Sequence, residues 1–224
     1  MQTAVSTPAA PAPDLDAGGY ETSWRGAAAL MVQGQQVAAA GRTAERDQCY
    51  ERAEAIARQA VALRPDGADG HSVLAQAIGL ASLAKDSAQR IMRAGEIRVE
   101  ALRALELDPG HDGAWHVLGK WQAAIARIAG FQKMIARGVL GGRVFDEATW
   151  DRSIASLEKA VELAPHRIDH RLALAEVLID RSRYTEARAQ LETIAALPLE
   201  DPQDASFQAQ ALLRAKEIEG KRGR

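Results

Sequence analysis

The 224-residue chain is 47% apolar, 26% charged and only 4% aromatic, enough to bury a substantial core as one large domain or two small ones. Alanine makes up roughly a fifth of it and asparagine is absent, a bias that favours helix, starves β-turn chemistry and disfavours an all-β fold. A net charge of −2 gives no broad positive field for a phosphate backbone, and the single Cys49 excludes an intramolecular disulfide framework.

The chain opens with an uncharged Ala/Pro-rich stretch, Met1 to Pro13, and residues 1–20 read as a flexible leader ahead of one helical-repeat domain over 21–221. The leader lacks the charged start and apolar stretch of a signal peptide. It fits the mature start of an exported, periplasmic bacterial protein, with a cytoplasmic protein bearing an ordinary tail as the alternative. The most apolar window, Ala27 to Ala40, is broken by Gln33-Gly34-Gln35-Gln36, so no transmembrane segment is predicted.

Beyond the leader one phrase recurs. Ala60-Val61-Ala62-Leu63-Arg64-Pro65, Ala104-Leu105-Glu106-Leu107-Asp108-Pro109 and Ala160-Val161-Glu162-Leu163-Ala164-Pro165 each close an amphipathic helix with a proline, and Ile194-Ala195-Ala196-Leu197-Pro198 is a shorter fourth copy. Leu74-Ala75, Leu118-Gly119 and Leu174-Ala175 follow at equal distances and open the next helix. Trp115-His116-Val117-Leu118-Gly119 is the Trp-x-x-Leu-Gly opening of a tetratricopeptide repeat. Against that repeat's period of about 34 residues, the proline spacings of 44, 56 and 33 carry additions near 85–96 and 128–149. The pattern predicts an all-α tetratricopeptide superhelix of about four hairpins: 22–40 with 43–63, 68–84 with 86–107, 112–129 with 148–163, and 168–181 with 184–196. A C-terminal helix over 202–220, with Asp201 as N-cap and Pro202 in its first turn, caps the stack.

The stretch Gly113-Ala114-Trp115-His116-Val117-Leu118-Gly119-Lys120-Trp121 resembles the regulator of microtubule dynamics family, as do Val139-Leu140-Gly141-Gly142, Glu162-Leu163-Ala164-Pro165 and the hairpin from Leu172 to Arg188. That resemblance covers roughly 45–220 and implies a non-catalytic repeat protein that recognises other molecules. Eukaryotic relatives are associated with microtubules, organelle contact sites and lipid handling; the bacterial character of this composition argues against carrying over a microtubule partner.

On the first helix of each hairpin, which lines the concave face in this architecture, Ser72 and Gln76, His116 and Lys120, and Leu172, Glu176 and Ile179 are groove candidates for a protein or peptide partner. The insertion offers Phe131, Met134, Ile135 and Leu140 as an apolar stripe opposite Lys133 and Arg137, suited to docking on its own groove, a partner helix or lipid. Trp115, Trp121 and Trp150 are read as core, and the basic end from Lys221 as a solvated tail. His166 and His170 have a metal-ligand spacing, but they straddle a helix start and no third ligand is signposted. No catalytic motif, phosphate loop or cofactor signature is present, so the expected function is a scaffold, with a lipid-binding or lipid-transfer module as the alternative. The absence of asparagine disfavours the clamp by which some tetratricopeptide domains hold chaperone C-termini.

Overall fold

The computed structural model describes residues 17–128, 130–140 and 147–222; residues 1–16 of the leader and the Gly141-Gly142 loop lie outside them. The described residues form ten α-helices and no strand: α1 (Ala17–Ala39), α2 (Thr43–Leu63), α3 (Ala68–Ala81), α4 (Ser87–Leu107), α5 (Asp112–Ala126), α6 (Gly130–Leu140), α7 (Trp150–Leu163), α8 (Ile168–Asp180), α9 (Tyr184–Ala196) and α10 (Asp204–Glu217). Four antiparallel hairpins result, α1 with α2, α3 with α4, α5 with α7 and α8 with α9, and α10 packs on α8 and α9.

Each repeat turns in the same way. In the last turn of the helix before the proline stands Ala60, Ala104 or Ala160, all fully buried, and each of these carbonyls accepts the amide four residues on. The proline's own carbonyl then receives a side-chain donor from six residues downstream: His71 Nε2 to Pro65 O, Trp115 Nε1 to Pro109 O and Arg171 Nε to Pro165 O, each at 2.9 Å. Three different side chains thus satisfy a carbonyl that the proline turn leaves without a helical donor.

Within hairpins, small residues set how closely the helices approach. A Cβ on Gly119 would lie 2.6 Å from Leu157 Cγ and 3.1 Å from Ser153 O, and the Ser153 hydroxyl donates to Gly119 O at 2.7 Å. Around this contact Leu118, Trp121, Leu157 and Ala160 are buried, and Trp121 Nε1 donates to Ala94 O at 2.7 Å. The guanidinium groups of Arg127 and Arg181 stand over the Trp150 ring, 5.6 and 5.5 Å from its centre.

The first addition lengthens α4 to 21 residues, against 13 for α9. Arg58–Glu96 (2.6 Å) and an Arg93–Glu54 pair tie α4 to α2, and Lys85 in the turn before α4 pairs with Glu51 of α2 at 2.8 Å. The second addition includes α6, which packs against α4 through the buried Ala136.

Two boundaries differ from the sequence reading. Residues 17–20, assigned to the leader, are helical, and Tyr20 is 1% exposed with its hydroxyl accepting the Gly70 amide at 2.9 Å. The terminal helix starts at Asp204 with Gln203 at its N-cap; Asp201 and Pro202 lie in the preceding turn, where Asp204 Oδ2 accepts the amides of Glu200 and Asp201 at 2.9 and 2.8 Å. A carboxylate turned back onto two upstream amides outcompetes Asp201 as the device that starts this helix.

Gly119→Ala should lower stability by about 1–3 kcal/mol through overpacking, whereas Gly138→Ala, whose Cβ meets nothing within 4 Å, should be neutral or gain up to about 1 kcal/mol. Urea unfolding of the two variants checks the contrast. Ser182, at φ 57° between α8 and α9, occupies the left-handed region that Gly41 occupies between α1 and α2. Ser182→Gly should therefore stabilise the chain by about 1 kcal/mol, read by the same assay.

Candidate functional site

Helical spacing places Trp115, Leu118, Trp121 and Gln122 on one side of α5 and His116 and Lys120 on the other. The two sides do different things.

The row that includes His116 runs through the junctions between successive first helices. Seven residues after its proline, Ser72 is fully buried, and a Cβ on Gly113 of the next repeat would lie 3.3 Å from Ser72 Oγ. Gln76 is half-buried beside it. Leu172, at the corresponding place in the last repeat, is buried in the core shared by α7, α8 and α9. Glu176 is ion-paired with Arg214 of α10 at 3.1 Å, and Ile179 packs partly buried against the same core. Of the seven groove candidates only Lys120 is fully open. Ser72 and Leu172 are thus packing residues, because the position seven beyond each proline faces a neighbouring repeat and not an open channel.

At the α5–α8 junction the same geometry collects titratable groups. The His116 and His170 rings lie with centroids 4.7 Å apart. His170 is 1% exposed; its Nε2 pairs with Asp112 Oδ2 at 2.8 Å, and its Nδ1 lies 3.3 Å from Asp169 Oδ1 without hydrogen-bond geometry. Arg167 grips Asp169 through two donors, at 3.0 and 2.9 Å. His116 Nδ1 is buried with no hydrogen-bond partner. Burial, reinforced by Lys120, holds His116 well below the usual histidine range and so neutral. Burial also opposes charge on His170, but the carboxylates of Asp112 and Asp169 outweigh it and raise its pKa. Asp169 is driven well below the carboxylate range: burial acts against its charge, and His170 and Arg167 overcome it.

His166, whose spacing to His170 the sequence reading noted and set aside as a metal pair, is exposed in the turn before α8 and stands outside this cluster. His116, 54 positions upstream of His170, reaches it only through repeat stacking.

On the opposite side of α5 lies an open groove of about 490 Å³ between α4 and α7. Its lining includes Trp115, Leu118 and Trp121 on α5, Leu102 on α4 and Ala155 on α7. Its charged residues are Arg98, Arg152 and Lys159 against the single carboxylate of Glu147, which pairs with Arg98. Among the described residues Arg152 has no ion-pair partner. Trp115 therefore lines this opening while its indole nitrogen clasps Pro109, a double role that its core assignment missed. Further along, Met134, Ile135 and Val139 of α6 are exposed, Met134 at 63%. The side chains of Phe131 and Leu140 lie outside the described residues.

Four hairpins turning on a common proline device, with no strand among the described residues, define an all-α tetratricopeptide superhelix. Residues 11–218 match the family model of regulator of microtubule dynamics protein 1-3, and the chain belongs to that family. Among solved structures it is similar to TTC0263, a thermophilic tetratricopeptide protein of Thermus thermophilus, with 20% identity over 84% of this chain and 99% of that one and a TM-score of 0.50. It is also similar to pilF of Pseudomonas aeruginosa, with 17% identity over 91% and 100% of the two chains and a TM-score of 0.32. No curated protein matches it. No helix among the described residues is long and apolar enough to cross a membrane.

A third histidine yields a pH prediction. His71 Nδ1 faces Glu100 at 2.6 Å while Nε2 faces the Pro65 carbonyl at 2.9 Å, so both nitrogens meet acceptors and the ring is held protonated. Glu100 raises its pKa above 6.5 against the pull of burial. A raised folded pKa contributes stability that is fully present below the unfolded value of about 6.5 and lost as pH rises through the folded one. Glu100→Gln should therefore lower Tm most at acidic pH and flatten its decline above neutrality, measured by thermal unfolding across that range.

Proposed function

We propose that this chain is a non-catalytic binding module whose docking surface is the groove over α5, between α4 and α7. The observation that supports the reading is the groove's composition: an indole and aliphatic floor beside three cations and one carboxylate. Such a surface suits a peptide that places an aromatic or aliphatic side chain next to an acidic one. Preformed helices on both walls limit the ordering cost of binding to the peptide itself. This differs from the concave-face row suggested by the sequence, of which Ser72 and Leu172 are buried and only Lys120 is fully open.

A second reading, binding to a lipid surface, is favoured by a separate observation: Met134, Ile135 and Val139 lie exposed along α6, with Lys133 on its other side. Their burial in a bilayer interface would be favourable by roughly 1.5–3 kcal/mol for each side chain fully buried.

Panning a random peptide library against the purified chain tests the first reading. Enrichment of sequences pairing an apolar residue with Asp or Glu is expected, with binding lost in Arg152→Glu/Lys159→Glu. Binding indifferent to that double reversal would overturn it. Co-sedimentation with anionic vesicles that is abolished by Met134→Ser/Val139→Ser, with no peptide enrichment, would favour the lipid reading instead.

A further inference from the structure

The α5–α8 junction holds a set of groups that partner binding does not explain. In the preceding junction the equivalent places are filled by Ser72, Gly113 and Ala114, and the contact is simple close packing. Here they are filled by His116, Asp169 and His170, each offering one ligand atom within 4.8 Å of the others. We propose that His116, Asp169 and His170 form a site for one divalent transition-metal ion of the zinc class, bridging two successive repeats.

The argument rests on what each nitrogen has to bond with. Asp112 accepts from His170 Nε2, and a metal ion would take the place of the proton that the neighbouring carboxylates favour on Nδ1, with the Nδ1 lone pair then directed toward Asp169. His170 Nδ1 and Asp169 Oδ1 face each other at 3.3 Å inside the fold without hydrogen-bond geometry, and neither histidine Nδ1 has a hydrogen-bond partner. Buried polar atoms without partners call for an explanation, and a bound ion is one that satisfies both imidazoles at once. Two imidazoles and a carboxylate are a ligand set for zinc and its neighbours, with at least one position left for water.

The distances are compatible. Metal–ligand bonds of about 2.0–2.1 Å place tetrahedral ligand atoms roughly 3.3 Å apart, which the His170 Nδ1–Asp169 Oδ1 edge already meets. The remaining edges close with a movement of about 1.5 Å at most, on the scale of a small rotation of the His116 ring. The supporting groups also fit. Asp112 behind His170 makes the carboxylate–histidine–metal arrangement that orients a ligating imidazole, and Arg167 holds the Asp169 carboxylate. Arg167 and Lys120 are the nearby cations, and they temper the affinity.

Bridging α5 and α8, the ion would lock the register of two repeats, so its binding should register as stability as well as stoichiometry. The test titrates the chelator-stripped full-length chain with Zn²⁺ by calorimetry and follows Tm, with Co²⁺ absorption reporting the ligand geometry. One equivalent of Zn²⁺ and a rise in Tm are expected. His116→Ala should weaken binding by more than about ten-fold and Asp112→Asn by about ten- to hundred-fold, while His166→Ala leaves it unchanged. If His116→Ala fails to fold, His116→Gln, closer in volume and still polar, takes its place. A folded chain that gains no stability and takes up no Zn²⁺ would overturn the proposal, leaving a proton between His170 and Asp169. Binding that survives loss of His116, or is lost with His166, would overturn it equally by moving the ion to the surface.

Discussion

A helix that stops at a proline leaves carbonyls with no amide to receive, and in this chain every full-length repeat must resolve that problem before the next helix can begin. The resolution is geometric: the side chain six residues beyond the proline returns to the proline carbonyl at 2.9 Å in all three cases, whether it is histidine, tryptophan or arginine. Because the same turn recurs, successive first helices meet at matching positions, Ser72 against Gly113 and His116 against Asp169 and His170. The fourth proline departs from the rule. There Gln208 donates to the carbonyls of Ile194 and Leu197, and α10 closes the stack instead of beginning another hairpin.

That regularity explains both candidate surfaces. Residues seven beyond one proline face those four and five beyond the next, which is why Ser72 lies against Gly113 and why His116 lies against Asp169 and His170. Small residues at such a junction give close packing; histidines and an aspartate there give a buried polar cluster whose partners must come from across the repeat boundary. The other side of α5 is governed by the insertions. The lengthened α4 and the segment containing α6 leave an opening between α4 and α7 floored by Trp115, Leu118 and Trp121.

Much of the helical plan was legible in the chain. The prolines, the alanines before them and the Leu-Ala or Leu-Gly pairs after them placed the four hairpins to within a few residues, since small residues at close contacts and breakers at turns are local requirements. Tyr20 was not legible. Gly18 and Gly19 beside it resemble a linker, and its role depends on Gly67 and Gly70, whose missing side chains make room for the ring 50 residues away. The burial of Ser72 and Leu172 was hidden for a related reason: helical spacing says which residues share a face and not what covers that face.

By itself, then, the sequence determined the class of fold, the number of hairpins and the places where the repeat was lengthened, because periodicity, capping and chain termination act over one or two helical turns. Tertiary structure alone decided that α10 covers Glu176, that Trp115 lines a groove opposite His116, and that His170 meets His116 and Asp112 and not His166. Those outcomes depend on how one repeat is rotated against the next, and the Asp112–His170 contact joins residues 58 positions apart. No local pattern encodes such a separation.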